Sequence, residues 1–298
     1  MKIVVLGSIV MDEIHPLSGQ VVRSFGGVTY SIMTIAKFLP DAEIVPITWV
    51  GKDEFQEFVN LLKKFPNIST NSLLEDPNGT NINILKYINE QDRLEFFQIK
   101  TSPIPWDAIK PHIDDSDAFL INFITPKDLE FETAKSLSMA FREFIYADIH
   151  SLLRFPDDNG QFRLRHIPEW QNWASFFDAV QMNVDELSAF TGFNLNELWE
   201  IQMATKMVLF AGPRIANITL ANKGSLLGVR EGREVNFTLI ENPLHKPKDP
   251  TGCGDVFGAS FLADYIKNKD PLRAAKFANK MAMKKAISKS FMEFLGLE

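Results

Sequence analysis

The sequence predicts an α/β protein, a three-layer α/β/α sandwich around a mostly parallel central sheet with a small β lid on one edge. Three observations carry that prediction. Short β-branched and aliphatic runs alternate with helical patterns as far as Leu220, as a sheet covered on both faces requires. Two segments, about 13–25 and 80–99, break the alternation and read as additional strands. After Pro250 the pattern is helical to the end.

Taken in order, Lys2–Leu6 is a continuous apolar run ending at Gly7, which is how a strand buried on both faces reads. The following residues, through Ile14, extend that apolar stretch as a strand. Similar runs recur at Glu43–Trp49, Ala118–Phe123, Glu143–Ala147, Ala179–Met182 and Ile215–Leu220. Between them lie helical patterns at Val28–Leu39, Glu54–Phe65, Leu129–Phe141, Val184–Thr191 and Leu195–Leu209. His15–Ser24 is short and polar, with Pro16 and Gly19 as turn formers. Residues 80–99 read as two strands about a polar turn at 89–92. Together these segments form a flap of the kind that excludes water from a reaction centre. Asp270 is an N-cap with Pro271 at the first helical position, opening a helix that runs to about Ser290. No internal repeat or low-complexity linker divides the chain, so 1–298 is expected to be one domain.

A chain of 298 residues, 45% of them hydrophobic, has ample material for a core. A net charge of −7 argues against a broad nucleic-acid surface, which needs clustered cations. The single cysteine, Cys253, excludes an internal disulfide framework and a Cys-rich zinc site and fits a reducing compartment. The cytoplasm is the expected location. The apolar start runs straight into Asp12 and Glu13 without a cleavage pattern. No segment approaches the ~20 apolar residues that span a bilayer, so no membrane partner is expected.

The chemistry concentrates in KDPTGCGDVFGASFLADYI, Lys248 to Ile266. Gly252 and Gly254 let the backbone approach a ligand closely. A helix starting near Gly254 points free N–H groups and its positive dipole end at one place, an anion site. Asp255 then has two readings. It favours the first turn of a helix electrostatically, or it is a general base that takes a proton from an attacking hydroxyl. No G-x-x-x-x-G-K-[ST] occurs in the chain, so residues 252–254 must supply any phosphate cradle.

DPTGCGD, Asp249 to Asp255, closely resembles the D-T-x-G-A-G-D signature of the ribokinase-like, or PfkB, carbohydrate kinases, with Pro250 for Thr and Cys253 for Ala. The resemblance extends along the chain. IVVLGSIVMDEI is similar to the family's first strand, with Asp12 at its substrate-binding aspartate. Gly26-Gly27 resembles its diglycine, beside the substrate and at the lid hinge. Asn183-Val184-Asp185-Glu186 matches its N-x-x-E motif. ITLANKGSLL, Ile218 to Leu227, is similar to its nucleotide-holding strand and turn.

This resemblance implies a ribokinase-like fold and an ATP-dependent kinase acting on a hydroxyl of a small sugar-like substrate. Asp255 becomes the base, and the amides of Gly252, Cys253 and Gly254 the stabilisers of the transferred phosphoryl group. Glu186 orients Mg²⁺ through water. Asn183, Lys223, Gly224, Thr251 and Asn279 border the ATP, and a monovalent cation near Asp249 is also implied. The lid segment between Asp12 and Gly26 is short, which fits a small acceptor or a homodimer formed through the lid.

The same residues have plainer readings. Asp12, just past the first strand, also reads as a solvated loop carboxylate, and Gly26-Gly27 as a simple turn. Asn183 with Glu186 is an ordinary capping arrangement. Lys223-Gly224 reads as a surface turn and Asn279 as a core-facing helical residue. Cys253 reads as a small-residue substitute. Asp148 and His150 follow a predicted strand toward the same edge. Where the family's sugar kinases show G-G-K-x-x-N, this chain has Gly26-Gly27-Val28-Thr29-Tyr30-Ser31. The usual polar sugar contacts are therefore missing, and Tyr30, able to stack on a ring, keeps a nucleoside acceptor in play. A catalytically idle ligand-binding relative is the reading from a different class.

Overall fold

The structure, a computed structural model, describes residues 1–88, 93–157, 161–243, 248 and 250–297. The expected turn at 89–92 and Asp249 of the cation expectation lie outside them. In chain order, β1 (Lys2–Leu6) leads to β2 (Ile9–His15), β3 (Val22–Gly27), α1 (Val28–Phe38), β4 (Glu43–Ile47), β5 (Trp49–Gly51), α2 (Phe55–Leu62), β6 (Leu74–Asp76), β7 (Asn81–Tyr87), β8 (Arg93–Gln98) and α3 (Trp106–Ile109). Then follow β9 (Ala118–Asn122), α4 (Phe131–Ala140), β10 (Ile145–Asp148), β11 (Arg154–Pro156), β12 (Phe162–Leu164), α5 (Trp170–Ser175), β13 (Ala179–Asn183), α6 (Val184–Thr191), α7 (Leu198–Ala211), β14 (Ile215–Thr219), β15 (Gly224–Glu231), β16 (Glu234–Glu241), α8 (Cys253–Asn268), α9 (Pro271–Ile287) and α10 (Phe291–Leu295).

Eight strands form the central sheet in the order β16-β15-β14-β13-β10-β9-β1-β4. All pairs are parallel except β14 with β15 and β15 with β16. The apolar runs explain why the sheet is sandwiched. Along β1, Ile3 and Val5 enter one core cluster while Val4 and Leu6 enter the other. β9 divides in the same way, Ala118 and Leu120 against Phe119 and Ile121. Alternating side chains of a strand point to opposite faces, so an unbroken apolar run demands cover on both. α1, α8 and α9 supply it on one side and α4 to α7 on the other. Each fully buried Ile, Val or Phe contributes about 1.5–3 kcal/mol.

The lid is a separate four-stranded sheet, β3-β2-β7-β8, in which β2 and β7 run parallel and the outer pairs antiparallel. It is larger than the expected segments, beginning at Ile9 and ending at Gly27 on its first arm. The N-terminal stretch through Ile14 is therefore two strands. Gly7, with φ 149°, breaks it, and a Cβ there would lie 2.3 Å from the Asn122 carbonyl oxygen. Residues before Gly7 join the central sheet and residues after it join the lid.

Two hairpins were absent from the alternating reading, β11–β12 and β15–β16. The second is joined by Gly232-Arg233 between alternating strands, a hairpin signal in its own right. Asp270 caps α9, accepting from the Leu272 and Arg273 amides at 3.0 Å, and that helix ends at Ile287 rather than Ser290. No helix among the described residues is long and apolar enough to cross a membrane.

Candidate active site

A polar row crosses the carboxyl half of the parallel sheet. Asp148 of β10 is in register with Asn122 of β9 on one side and Gln181 of β13 on the other, and Gln181 with Asn217 of β14. All four side chains are buried. Buried polar groups persist when hydrogen-bonded; Asn122, Asp148 and Gln181 bond to one another or to α8, and the Asn217 amide reaches the Tyr146 hydroxyl at 3.4 Å. The Gln181 amide donates to Asp148 Oδ2 at 2.8 Å and to the Gly254 carbonyl at 3.0 Å, and Gln181 Oε1 accepts from the Tyr146 hydroxyl at 2.8 Å. The Asn122 amide donates to Asp255 Oδ1 at 2.6 Å and to Ser31 Oγ at 3.0 Å. The row thus fixes the first turn of α8 against the sheet.

α8 starts at Cys253, with Gly252 as a left-handed N-cap whose Cα faces the Tyr30 ring. Of the three amides expected to meet a phosphoryl group, that of Cys253 donates to the Pro250 carbonyl at 3.2 Å. Those of Gly252 and Gly254 have no hydrogen-bond partner among the described residues. Asp255 is the third residue of the helix. Burial raises its carboxyl above the ordinary carboxylate range, opposed by the Asn122 hydrogen bond and the nearby His150.

Asp12 is not on a loop. It sits within β2 and is buried, directly opposite Asn83 of β7, whose amide donates to Asp12 Oδ1 at 2.9 Å. Gly26 makes this possible, since a Cβ there would lie 2.1 Å from Asp12 Oδ2. Gly27 ends β3 and caps α1.

Asn183 and Glu186 form a complete capping box, with Glu186 Oε2 accepting from the Asn183 amide and Asn183 Oδ1 from the Glu186 amide, both at 2.8 Å. Glu186 Oε1 meets His150 Nδ1 at 2.7 Å. Burial works against both charges, but the pair prevails: the His150 pKa rises to about 9 and the Glu186 carboxyl falls below its usual value. Burial pushes the Asp148 carboxyl well above the carboxylate range, His150 pulls it back, and the charges of Glu186 and Asp255 push it up further.

These side chains line adjoining cavities. A cavity of about 470 Å³ beneath the lid is lined by Asp12, Gly27, Tyr30, Asn83, His150, Thr251, Gly252 and Asp255. A larger cleft, about 1220 Å³, shares His150, Gly252 and Asp255 with it and adds Asp148, Asn183, Glu186, Lys223, Cys253 and Gly254. A third space of about 410 Å³, mostly apolar, continues from that cleft past Gly224 between α8 and α9. Asn279 lines it, its amide already donating to Asn242 Oδ1 at 2.8 Å. Thr251 lies on the lid-side cavity rather than in the cleft with Lys223.

Asp255 therefore stands where two cavities meet. The profile of the pfkB family carbohydrate kinases matches residues 1–292. The chain belongs to that family. It is also similar to a protein of Thermococcus kodakarensis named cytidine kinase, at 24% identity over 276 residues and 90% of both chains. Among solved structures, a pyrophosphate-dependent kinase of the ribokinase family superposes with a TM-score of 0.78 at 18% identity, covering 98% of this chain and 99% of the other. Arabidopsis thaliana ribokinase in complex with ribose and ATP gives 0.76 at 17%, covering 99% of each. At these identities the structures show the ribokinase-like fold, mostly parallel sheet and separate lid sheet included.

Sequence reasoning did not single out Asn122, Asn83, Gln181 or Arg154. Asn122 carried a signal, a lone amide ending the apolar strand AFLIN at the carboxyl edge, where open α/β sheets bind ligands. Val28 is fully buried and Ser31 holds Asn122, so neither position faces the lid-side cavity.

The family implies Mg²⁺ with the donor, and the donor set fits a hydrated ion. Three carboxylates, Asp148, Glu186 and Asp255, line the same cleft and offer the hard oxygens that Mg²⁺ prefers. Among the described residues no group of three or more His, Cys, Asp or Glu side chains is close enough to cage a metal, and both Glu186 oxygens are engaged. Mg²⁺ keeps several waters and leans on phosphates, so these residues would hold it through its water shell.

Proposed function

We propose that this kinase transfers the γ-phosphoryl group of ATP to a hydroxyl of a small sugar-like acceptor, with Asp255 as general base. The observation that carries the reading is the position of Asp255, shared by the lid-side cavity and the cleft at the same helix N-terminus. In this arrangement the acceptor binds under the lid, with Asp12, oriented by Asn83 and Gly26, accepting from its other hydroxyls. Its reacting hydroxyl donates to Asp255, whose carboxylate Asn122 aims and whose burial makes it a better proton acceptor. The amides of Gly252 and Gly254 and the helix dipole stabilise charge on the transferred group. Mg²⁺ would supply neutralisation of the donor phosphates, with Asp148, Asn183 and Glu186 beside its waters.

ATP is favoured as donor by the apolar space beyond Gly224, lined by Phe257, Ala282 and Met283, which suits a base and has no counterpart in pyrophosphate. A nucleoside acceptor is the second reading. It is supported by the likeness to the cytidine kinase and by the aromatic walls of Tyr30, Phe97 and Phe162 in the acceptor cavity. Tyr30 is itself packed edge-to-face on Phe291, at 4.6 Å, and serves as wall rather than free stacking platform.

The test is a panel of sugars and nucleosides assayed with Mg·ATP and with Mg·pyrophosphate. Turnover with ATP is expected, and Asp255→Asn lowers it roughly 10²- to 10⁴-fold in a protein that still unfolds cooperatively. An Asn variant as active as the parent removes the base assignment. Ligand binding without turnover by either donor marks an idle binder.

A further inference from the structure

The acceptor cavity contains a cation that the transfer reaction leaves unused. Arg154 opens β11 directly after the His150–Leu153 turn and lines the cavity with Asp12 and Asp255. Its Nε is buried and has no hydrogen-bond partner. Its guanidinium forms no ion pair among the described residues. Glu186 feels the Arg154 charge, yet Glu186 Oε1 is taken by His150 and Oε2 by the Asn183 amide. Arg163, on the partner strand of the hairpin, lines the same cavity but is held by Asp157 at 3.5 Å and Gln161 at 2.7 Å. Phe162 of that hairpin packs on Phe97 of the lid at 5.6 Å, so lid and hairpin close over this region together.

A guanidinium stays charged at any working pH. The residue is part-exposed, but its buried Nε donor is left unmade, and an unmade buried hydrogen bond is costly. A neutral sugar or nucleoside offers the guanidinium fork no charged partner. A carboxylate or phosphate matches the fork of an arginine with two parallel, charge-assisted hydrogen bonds. We infer that the acceptor carries an anionic group, carboxylate or phosphate, seated against Arg154 while its reacting hydroxyl faces Asp255. The inference rests on the kinase reading above and narrows its substrate to hydroxylated acids or phosphorylated polyols.

The test uses matched acceptors of one carbon skeleton: the neutral sugar, its sugar acid and its phosphate, with cytidine as the neutral nucleoside. Each is assayed for turnover with Mg·ATP and Mg·pyrophosphate and, separately, for binding by calorimetry. An acid or a phosphate is expected to exceed its neutral parent by at least about tenfold in kcat/KM, and which one wins identifies the source of the charge. Arg154→Gln raises the KM for that acceptor by roughly 10- to 100-fold, and Arg154→Lys recovers part of the loss. Arg163→Gln, at an exposed position, gives a smaller change in the same direction and serves if the Arg154 variants do not fold.

Three results would overturn the assignment: neutral acceptors matching their anionic counterparts, Arg154→Gln raising the donor KM instead, or no anionic compound binding. Arg154-dependent binding of an anion without phosphorylation would keep the subsite and remove the kinase reading. Turnover of neutral acceptors, indifferent to Arg154, would do the reverse.

Discussion

Gly26→Ala probes the acceptor site without replacing any polar group. The Gly26 backbone is not in the left-handed region, so alanine is conformationally acceptable and acts through its methyl alone. That methyl would lie 2.1 Å from Asp12 Oδ2 and 2.9 Å from its Cγ, where ordinary contact begins near 3.4 Å. The carboxylate must retreat by roughly 1 Å or more, which breaks the 2.9 Å bond from Asn83. A hydrogen bond to a charged group contributes about 1.5–3 kcal/mol, and each ~1.36 kcal/mol is tenfold in rate. Acceptor kcat/KM should therefore fall roughly 10- to 100-fold while donor KM stays within about threefold. Steady-state kinetics with the acceptor varied at saturating donor, then the converse, measure both. Acceptor kcat/KM within about twofold of the parent would refute the role given to Asp12. So would a crystal structure of the variant with Asp12 in place.

Asn122→Leu removes the donor that opposes the burial effect on Asp255, so the acid limb of the kcat/KM profile should move to higher pH; an unmoved limb would sever Asn122 from the base. His150, raised from 6.5 to about 9 by Glu186 despite burial, stabilises the fold fully below pH 6.5 and loses that contribution as pH rises through 9. Because the imidazole is part-exposed, the effect is no more than about 2 kcal/mol. Thermal melts from pH 6 to 10, about the span that linkage requires, should show His150→Gln losing less stability than the parent, and parallel curves would count against the pair. Asp128 is buried and accepts from the Ser8 and Thr125 hydroxyls and the Ser8, Ile124 and Thr125 amides. Asp128→Ala leaves those donors unmade and should cost about 3 kcal/mol or more, lowering Tm by roughly 5–10 °C; a loss under about 1 kcal/mol would show that water replaces the carboxylate.

Much of the architecture was legible because it depends on local pattern. Unbroken apolar runs demand cover on both faces, and the runs at β1, β4, β9, β10, β13 and β14 are the parallel strands observed. The Asn183–Glu186 cap and the Asp270-Pro271 helix start were legible for the same reason, since their partners lie within three residues. The β15–β16 hairpin was missed by following alternation alone. The break at Gly7 was missed because the two strands it separates share one apolar character, and only the sheet each joins tells them apart.

The sequence by itself determined which groups stand at the helix N-terminus at 252–255, because small residues and a carboxylate are contiguous there. Only the tertiary structure decided what surrounds it. The row Asn122–Asp148–Gln181–Asn217 exists because four strands, distant along the chain, pair in one register, and a shift by one residue would turn each amide to the opposite face. The Asn83–Asp12–Gly26 arrangement likewise depends on lid strands brought together across some seventy positions. Arg154 looks like any surface cation in the sequence; its place in one cavity with Asp12 and Asp255 comes from a hairpin folded against the lid.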